Sequence, residues 1–378
     1  TNESAKLNTS SNAIISFNSD LIIDGVSIAL GAASLILKGN DQILRTSSTI
    51  SVRELYVDGG GLKTLIGSWT TNNLTLKSGI IFPDFPLMPG KLTYVGVSEL
   101  DGNGSAYIEG ALYQKKTGPQ FYPIGINGIY SPLRLSYVNN SDVEIGVTVF
   151  QNDTELILPP GIDRSANRRW QITSSAAHFE SIVALNGDGI LDEEPDQWRV
   201  LAADLVNGDA INLGGRHISG FVSSVSKAHS SILTLGKSTN LDLTPPELVA
   251  DNTNGSLDGS ATMEFSARFN EPESSILDVK ALYRPISLGG ELTEVPMTLI
   301  GEDWVAEQAI EKAGELGIEY KLEATNEAGH THLSSLFRGI PLSNVSVPIS
   351  YSSFGKSASN YSIISLPLEL TDNSVSAT

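Results

Sequence analysis

The segment 184–196, ALNGDGILDEEPD, contains the residues whose types and spacing best match a known chemistry. Calcium binds several oxygen ligands at once, and the loop D-x-[DN]-x-[DN]-G supplies them at alternate positions, with glycine at a sharp turn. We therefore predict a calcium site in this segment. The candidate ligands are side-chain or backbone oxygens of Asn186, Asp188, Ile190, Asp192 and Glu193.

The match to a calcium loop is incomplete. Asn186, Asp188 and Asp192 fit its third, fifth and ninth positions, but Ala184 and Pro195 stand where the first aspartate and the bidentate glutamate belong. Neighbouring acidic residues would have to compensate from a different backbone path. The alternative is an acidic hairpin turn, because Asn-Gly-Asp-Gly is a strong turn sequence by itself.

Catalytic motifs are missing from the sequence. It has no G-x-S-x-G elbow, no G-x-x-x-x-G-K-[ST] phosphate loop and no H-E-x-x-H helix. Five histidines leave few general bases that titrate near neutral pH. His330 and His332 would share one face of a strand as metal ligands, or lie exposed in a turn. We predict a chain without enzymatic activity.

Charge and composition exclude several classes of partner. The 24 Lys and Arg against 43 Asp and Glu give a net charge of −19, which disfavours nucleic acid and anionic lipid. The absence of cysteine excludes disulfides, thiolate nucleophiles and cysteine-bound zinc. No apolar run reaches the roughly 18 residues of a membrane helix, so we expect no direct membrane insertion. A hydrophobic content of 40% predicts a folded chain, which we place outside the cell or on its surface.

Residues 1–97 alternate short apolar runs with Gly, Asn and Asp, as in LIIDG at 21–25 and SLILKGN at 34–40. Such runs are typical of strands, and no helical periodicity persists. Their close and uneven spacing favours the rungs of a β-solenoid, each of which must stack on the next to bury its apolar face. The alternative is an ordinary β-sandwich.

Residues 98–243 have longer and more aromatic strand patterns, which predict a β-sandwich. Val143, Ile145, Val147 and Val149 alternate with polar or small residues, as in a sheet with one wet face. Trp170 and Trp198 are expected to be core anchors, because large aromatic side chains in strands usually bury their area.

The stretches GPQFYPIGINGIYSPLRL at 118–135 and ANRRWQITSS at 166–175 give this region a resemblance. Over roughly 100–235 the chain resembles a β-module of large secreted and cell-surface proteins of Bacteroidota. The resemblance implies export by the type IX secretion system. It does not extend to the sorting domain of such proteins.

A proline pair at 245–246 predicts a hinge at the start of the segment 244–343. This segment, which includes GIEYKLEATNEAGH, resembles the immunoglobulin or fibronectin-like sandwich often appended to bacterial exoproteins. Tyr320, Leu322 and Ala324 would share one face of a strand.

Propensity alone predicts a short helix at 305–316, VAEQAIEKAGEL. The resemblance implies a strand followed by a loop there, and we favour the strand.

The sequence thus predicts an all-β fold in series: a solenoid-like region, a β-sandwich, an immunoglobulin-like sandwich, and at 344–378 the start of a further β-segment or a C-terminal extension. We expect a structural or adhesive segment of a large bacterial surface protein, in a stalk, an adhesin or a filament. Its partners would be other copies, which could add strands near residues 1–20 or 361–370, or domains of the same longer chain.

Two other functions stay open. The chain could be the accessory scaffold of a secreted hydrolase whose catalytic domain lies outside it. It could also be a carbohydrate-binding module, for which Trp69 and Trp304 would have to be exposed on one face.

Overall fold

The computed structural model describes most of the chain between residues 13 and 339. The described residues are 13–23, 30, 32–85, 88–138, 142–151, 155–176, 179–255, 262–286, 290–310 and 317–339. They form strands and one 3-10 turn at Pro195–Gln197, without an α-helix among them. In this part of the chain no helix is long and apolar enough to cross a membrane. The extension predicted at 344–378 and its strand at 361–370 lie outside the described residues.

Among the described residues, twenty-one strands precede the proline pair. They are β1 (Ile14–Phe17), β2 (Leu21–Ile23), β3 (Ser34–Leu37), β4 (Gln42–Thr46), β5 (Ile50–Phe82), β6 (Asp84–Phe85), β7 (Met88–Tyr94), β8 (Ile108–Glu109), β9 (Leu112–Gln114), β10 (Gly118–Tyr122), β11 (Ile124–Ile126), β12 (Ile129–Tyr130), β13 (Leu133–Val138), β14 (Ile145–Gln151), β15 (Ile162–Ser174), β16 (Val183–Asn186), β17 (Trp198–Ala203), β18 (Ile211–Asn212), β19 (Arg216–Ile218), β20 (Phe221–Ser223) and β21 (Ile232–Ser238).

The N-terminal region is a stack of parallel strands, which confirms the solenoid-like prediction. β1 pairs with β3 and β3 with β5, and the register partners Ile14, Ser34 and Glu54 are twenty residues apart. β2, β4 and β5 stack in the same way on a second side. Each rung buries alternate apolar residues, such as Leu35 and Leu55, against its neighbours. Burial of one such side chain stabilises the fold by about 1.5–3 kcal/mol.

Glycine at the corners allows successive rungs to approach closely. A Cβ atom at Gly59 would lie 2.2 Å from the carbonyl oxygen of Gly39, and one at Gly39 would lie 2.5 Å from that of Asn18. Both distances are far below van der Waals contact. The corner column Asn18, Gly39 and Gly59 therefore requires glycine in its two later rungs.

Aspartates cap backbone groups between rungs. The carboxylate of Asp20 accepts a hydrogen bond from the backbone N–H of Ile43 at 2.8 Å, and that of Asp41 accepts one from Leu62 at 2.8 Å. Each aspartate thus satisfies a backbone donor in the rung that follows it.

Parallel stacking continues beyond residue 97, where the sequence suggested a boundary. β9 pairs in parallel with β7 and antiparallel with β14. From β14 the sheet proceeds through β15, β21 and β17 to β18, so one 16-stranded sheet contains both the stack and half of the next region. No break in the hydrogen-bonded ladder separates the two.

The middle region has sandwich character, as predicted. Its second sheet has the order β10-β13-β16-β20-β19, and apolar residues of this sheet and of the long one form a single core. Trp170 is fully buried, with its indole N–H donating to the carbonyl of Ser131 at 2.8 Å, and Trp198 is also buried. Both tryptophans are therefore core anchors, as expected.

In the described part of the chain after the proline pair there are ten strands. They are β22 (Glu247–Asp251), β23 (Asn254–Gly255), β24 (Thr262–Asn270), β25 (Ile276–Pro285), β26 (Thr293–Pro296), β27 (Thr298–Ile300), β28 (Asp303–Ala309), β29 (Ile318–Asn326), β30 (Thr331–Leu333) and β31 (Phe337–Gly339).

These ten strands form two five-stranded antiparallel sheets, with the paths β22-β24-β28-β27 and β26-β25-β29-β30. Phe265 of the first sheet packs on Tyr320 of the second, with ring centroids 5.6 Å apart. Tyr320, Leu322 and Ala324 are buried, as their alternation predicted. β28 confirms the strand in the first half of 305–316; residues 311–316 lie outside the described part.

Candidate functional site

The predicted calcium segment is a tight turn after β16. The backbone N–H groups of Ile190 and Leu191 both donate to the carbonyl of Gly187 at 2.9 Å, and Gly189 has φ +72°. Gly187 in turn donates to the carbonyl of Gly220 at 2.8 Å. The Asn-Gly-Asp-Gly sequence thus forms the turn that its composition favours.

The structure does not gather the predicted ligands around one point: Asn186 and Asp188 contact each other, whereas Asp192 contacts basic residues. Asn186 is buried, and its side-chain amide donates to the carboxylate of Asp188 at 3.0 Å. Ile190 packs its side chain on the core. Asp192 accepts a hydrogen bond from Trp198 and none from the other predicted ligands, and Glu193 is exposed. No cluster of three His, Cys, Asp or Glu that could hold a metal occurs in the described residues.

Basic residues already surround Asp192. Its carboxylate pairs with Lys237 and, at 3.2 Å, with Arg164, and it accepts the indole N–H of Trp198 at 3.3 Å. The hydrogen bond from Lys237 is the main reason that the pKa of Asp192 falls to about 2. Calcium at Asp192 would have to compete with these cations. The calcium site therefore stays a prediction.

A joint connects the middle sandwich to the last one, and Asp242 lies at its centre. The Asp242 side chain is fully buried and accepts hydrogen bonds from the hydroxyl of Ser274 and, at 3.3 Å, from the backbone N–H of Thr244. Its backbone carbonyl lies 3.1 Å from Nε2 of His330. Burial raises the pKa of the Asp242 carboxyl.

Further hydrogen bonds cross the joint. The backbone N–H of Gly215 donates to the carbonyl of Glu327 at 2.7 Å, and the amide of Asn326 donates to the carbonyl of Thr244 at 2.8 Å. Beside them Arg199 is fully buried and donates to the carbonyl of Asp196 at 2.6 Å. The bond from Gly215 to Glu327 joins the two sandwiches directly, and the bond from Asn326 fixes the connecting segment to the last one.

A cavity of about 380 Å³ opens at the joint and is lined by Asp196, Arg216, His217 and residues 328–331. Of the two histidines considered as metal ligands, His330 contacts Asp242, whereas His332 packs edge-on against Phe269, with centroids 6.0 Å apart. Both therefore have structural contacts.

A second cavity, of about 220 Å³, lies on the sheet β10-β13-β16-β20-β19. Arg134 borders it, with its guanidinium carbon 5.2 Å from the ring centroid of Phe121 and 4.7 Å from that of Phe221. The two rings hold the guanidinium by cation–π contacts, each worth about 0.5–1 kcal/mol at exposed sites. Glu99 and the small residue Ala184 also line the cavity.

The carbohydrate-binding alternative would need Trp69 on an exposed face, and the structure buries it. This side chain is only 1% exposed inside the solenoid-like stack, where its indole N–H donates to the carbonyl of Ile66 at 3.2 Å. Trp304 is half-buried and packs against the core of the last sandwich. A parallel stack buries one face of every rung, and Trp69 points to that face.

Sequence reasoning missed Arg134 altogether. The available signal was its place in the alternation LRLSYV, where it falls between the core residues Leu133 and Leu135 and therefore faces outward. Neither Phe121 nor Phe221 is its neighbour in sequence, so the stacked arrangement depends on strand pairing.

No protein-family model matches this sequence, and a search of curated proteins finds no match either.

Proposed function

We propose that this chain is a structural and adhesive segment of a large bacterial extracellular surface protein, in a stalk, adhesin or filament. The observation that carries the proposal is the unbroken 16-stranded sheet. A load that pulls the stack from the middle sandwich has to break the three-pair ladder between β7 and β9 and the pairing of β5 with β8 together. A chain built to resist extension needs such continuity.

The joint at Asp242 supports the same function. Two sandwiches connected only by a flexible linker would move independently, which is the ordinary expectation for domains in series. Here the backbone bond from Gly215 to Glu327 and the buried contacts of Asp242 restrain them. A restrained joint transmits orientation along a stalk.

We also propose an immunoglobulin or fibronectin-like fold for residues 244–343. In such sandwiches strands A, B, E and D form one sheet and strands C, F and G the other. The path β22-β24-β28-β27 corresponds to A-B-E-D, and β25-β29-β30 corresponds to C-F-G, with β26 added beside C. The strand order therefore favours this fold.

The cellular setting rests on sequence resemblance. Export by the type IX system, a source among Bacteroidota and calcium in the 186–193 turn are parts of the proposal that the resemblance or the loop pattern supports. Absence of enzymatic activity is part of it too.

The experiment is detection of the native protein on intact cells with antibodies against this chain, followed by intact mass and peptide mapping of the released protein. We expect surface labelling, and further β-modules in the peptide map. Labelling only after lysis would overturn the surface role. An in-frame catalytic domain would favour the second candidate, an accessory scaffold of a secreted hydrolase.

A further inference from the structure

A tight turn at residues 103–106 reverses the chain between β7 and β8. Asn103 and Ala106 exchange two backbone hydrogen bonds of 3.0 Å each. The side-chain oxygen of Asn103 accepts two more, from the backbone N–H of Ser105 at 2.9 Å and from its hydroxyl at 2.7 Å. Residues 103–105 are exposed, so water reaches the turn.

Asparagine is a chemically labile side chain, above all before glycine, which offers no Cβ to shield its own nitrogen. The backbone nitrogen of the glycine attacks the side-chain carbonyl carbon and gives up its proton. The bond to the side-chain nitrogen then breaks, ammonia leaves, and a five-membered succinimide remains. Water opens this ring at one of its two carbonyls and yields aspartate or isoaspartate. The whole reaction consumes one water and releases one ammonia.

The turn favours this reaction at Asn103 in three ways. Negative charge develops on the side-chain oxygen during the attack, and the two donors of Ser105 already point at that oxygen. The N–H of Gly104 has no hydrogen-bond partner among the described residues, so no bond to it must break first. A Cβ atom at Gly104 would meet nothing within 4 Å, which shows that the turn is open on that side.

The other Asn-Gly pairs are held more firmly; they begin at Asn127, Asn186, Asn207 and Asn254. The N–H of Gly187 donates to the carbonyl of Gly220 at 2.8 Å, and that of Gly208 to the carbonyl of Leu205 at 3.1 Å. At Asn127 the side-chain amide, which would have to leave, donates to Gln151 at 3.2 Å. Asn254 lies within strand β23. Loss of one such hydrogen bond slows the attack about two- to tenfold.

We propose that Asn103-Gly104 is a site of spontaneous deamidation, at which the ageing protein acquires aspartate or isoaspartate without an enzyme. The two products act differently on the turn. Aspartate keeps the backbone and both hydrogen bonds from Ser105. Isoaspartate lengthens the main chain by one atom and disrupts the pairing with Ala106. The proposal goes beyond the structural role and does not depend on it.

The site lies where the stack meets the middle region. The carbonyls of Ser105 and Tyr107 accept hydrogen bonds from the backbone N–H groups of Gly79 and Ile81, at 2.9 and 3.0 Å. Isoaspartate at residue 103 therefore loosens the strand that follows the turn from the end of β5.

The test is incubation of the full chain at mildly alkaline pH, with peptide mapping by mass spectrometry at intervals. We expect Asn103 to react about tenfold faster than Asn186, because the Gly187 N–H is committed and Asn186 is buried. Gly104→Ala should slow the reaction at Asn103 severalfold, since its methyl group hinders the attacking nitrogen. Ser105→Ala should slow it less, because the backbone donor remains. Melting curves establish that both variants keep the fold.

Equal rates at Asn103 and Asn186, or an undiminished rate in Gly104→Ala, would overturn the proposed site. Hydrogen exchange of the Gly79 amide tests the consequence. It should be faster in the separated isoaspartate form than in fresh protein, whereas Asn103→Asp should match fresh protein. Identical exchange in all three would overturn the loosening.

Discussion

Gln42 and Lys63 are register partners in neighbouring rungs, and both side chains point into the stack to donate hydrogen bonds to the backbone of a preceding rung. The Gln42 amide bonds the carbonyl of Ser19 at 2.8 Å, and the Lys63 ammonium bonds that of Gly39 at 2.7 Å. Lys63 also bonds the carbonyls of Asn40 and Gly60. An internal polar column thus satisfies the carbonyls of the corners.

We expect Lys63→Met to destabilise the stack by about 1–3 kcal/mol, because it leaves buried carbonyls without donors. Lys63→Gln should lose less stability, since a glutamine, Gln42, already donates to a corner carbonyl one rung earlier. Hydrogen exchange of the amides in β3 to β5 would measure the loss locally. The matched control is Lys77→Gln on the exposed surface. Equal protection in Lys63→Met and wild type would contradict the role of the column.

We expect Gly59→Ala to destabilise the same stack by about 1–3 kcal/mol, the usual effect of overpacking. The added methyl group would meet the Gly39 carbonyl at 2.2 Å, and backbone cannot move aside cheaply. Gly104→Ala is the control, because a Cβ atom there meets nothing within 4 Å. Thermal melting of both variants provides the measurement. Similar melting temperatures for Gly59→Ala and Gly104→Ala would contradict the expectation, because they would show that the rungs can move apart without loss of stability.

The joint should loosen as pH rises from about 4 towards neutral. Burial raises the pKa of Asp242 above the usual 3.8, so the folded joint keeps a proton that the opened joint releases. Between the two pKa values the folded state binds more protons, and its stability therefore falls with rising pH.

Exchange of the Gly215 amide, corrected for its intrinsic rate, would report this opening. In Asp242→Asn the loss of stability with rising pH should disappear, because that side chain no longer titrates. The opposite contribution of Glu273, whose pKa is lowered by hydrogen bonds from Leu243 and Thr244, should remain. Asp163→Asn, at an exposed carboxylate, should retain the wild-type dependence. A wild-type profile that is flat between about pH 4 and 7 would refute the expectation.

The calcium proposal for residues 186–193 predicts that millimolar CaCl₂ raises the melting temperature above that in EDTA, since an ion that binds only the folded state stabilises it. Asp188→Asn should remove the rise. Lys237→Met should enlarge it, because Lys237 competes for Asp192. If the wild-type melting curves with and without calcium coincide, the calcium proposal is wrong and the segment is an ion-paired acidic turn.

Local patterns predicted much of this fold. The alternation at 143–149 and at 320–324 predicted correct burial, because strand periodicity is a property of neighbouring residues. The short runs before residue 97 predicted stacked rungs for the same reason. The burial of Trp170 and Trp198 could be predicted from the size and apolarity of the tryptophan side chain alone.

Local patterns could not predict which residues pair when they lie far apart in the sequence. The continuity of one sheet past residue 97 depends on β9, which pairs with strands on both sides of that boundary. A lysine inside a core contradicts hydropathy, and Lys63 becomes understandable only once the carbonyls of Gly39 and Asn40 lie beside it. The cavity at Arg134 likewise combines residues from four strands and two loops.

The twenty-residue register of β1, β3 and β5 constrains how such a protein can change its length over evolutionary time. A single inserted residue inside a rung would turn inward-facing side chains outward and misalign the corner glycines. Duplication of a complete rung would preserve both. Reach would therefore change in discrete increments of about 4.8 Å, the spacing of paired strands, with each increment adding about twenty residues to the gene product.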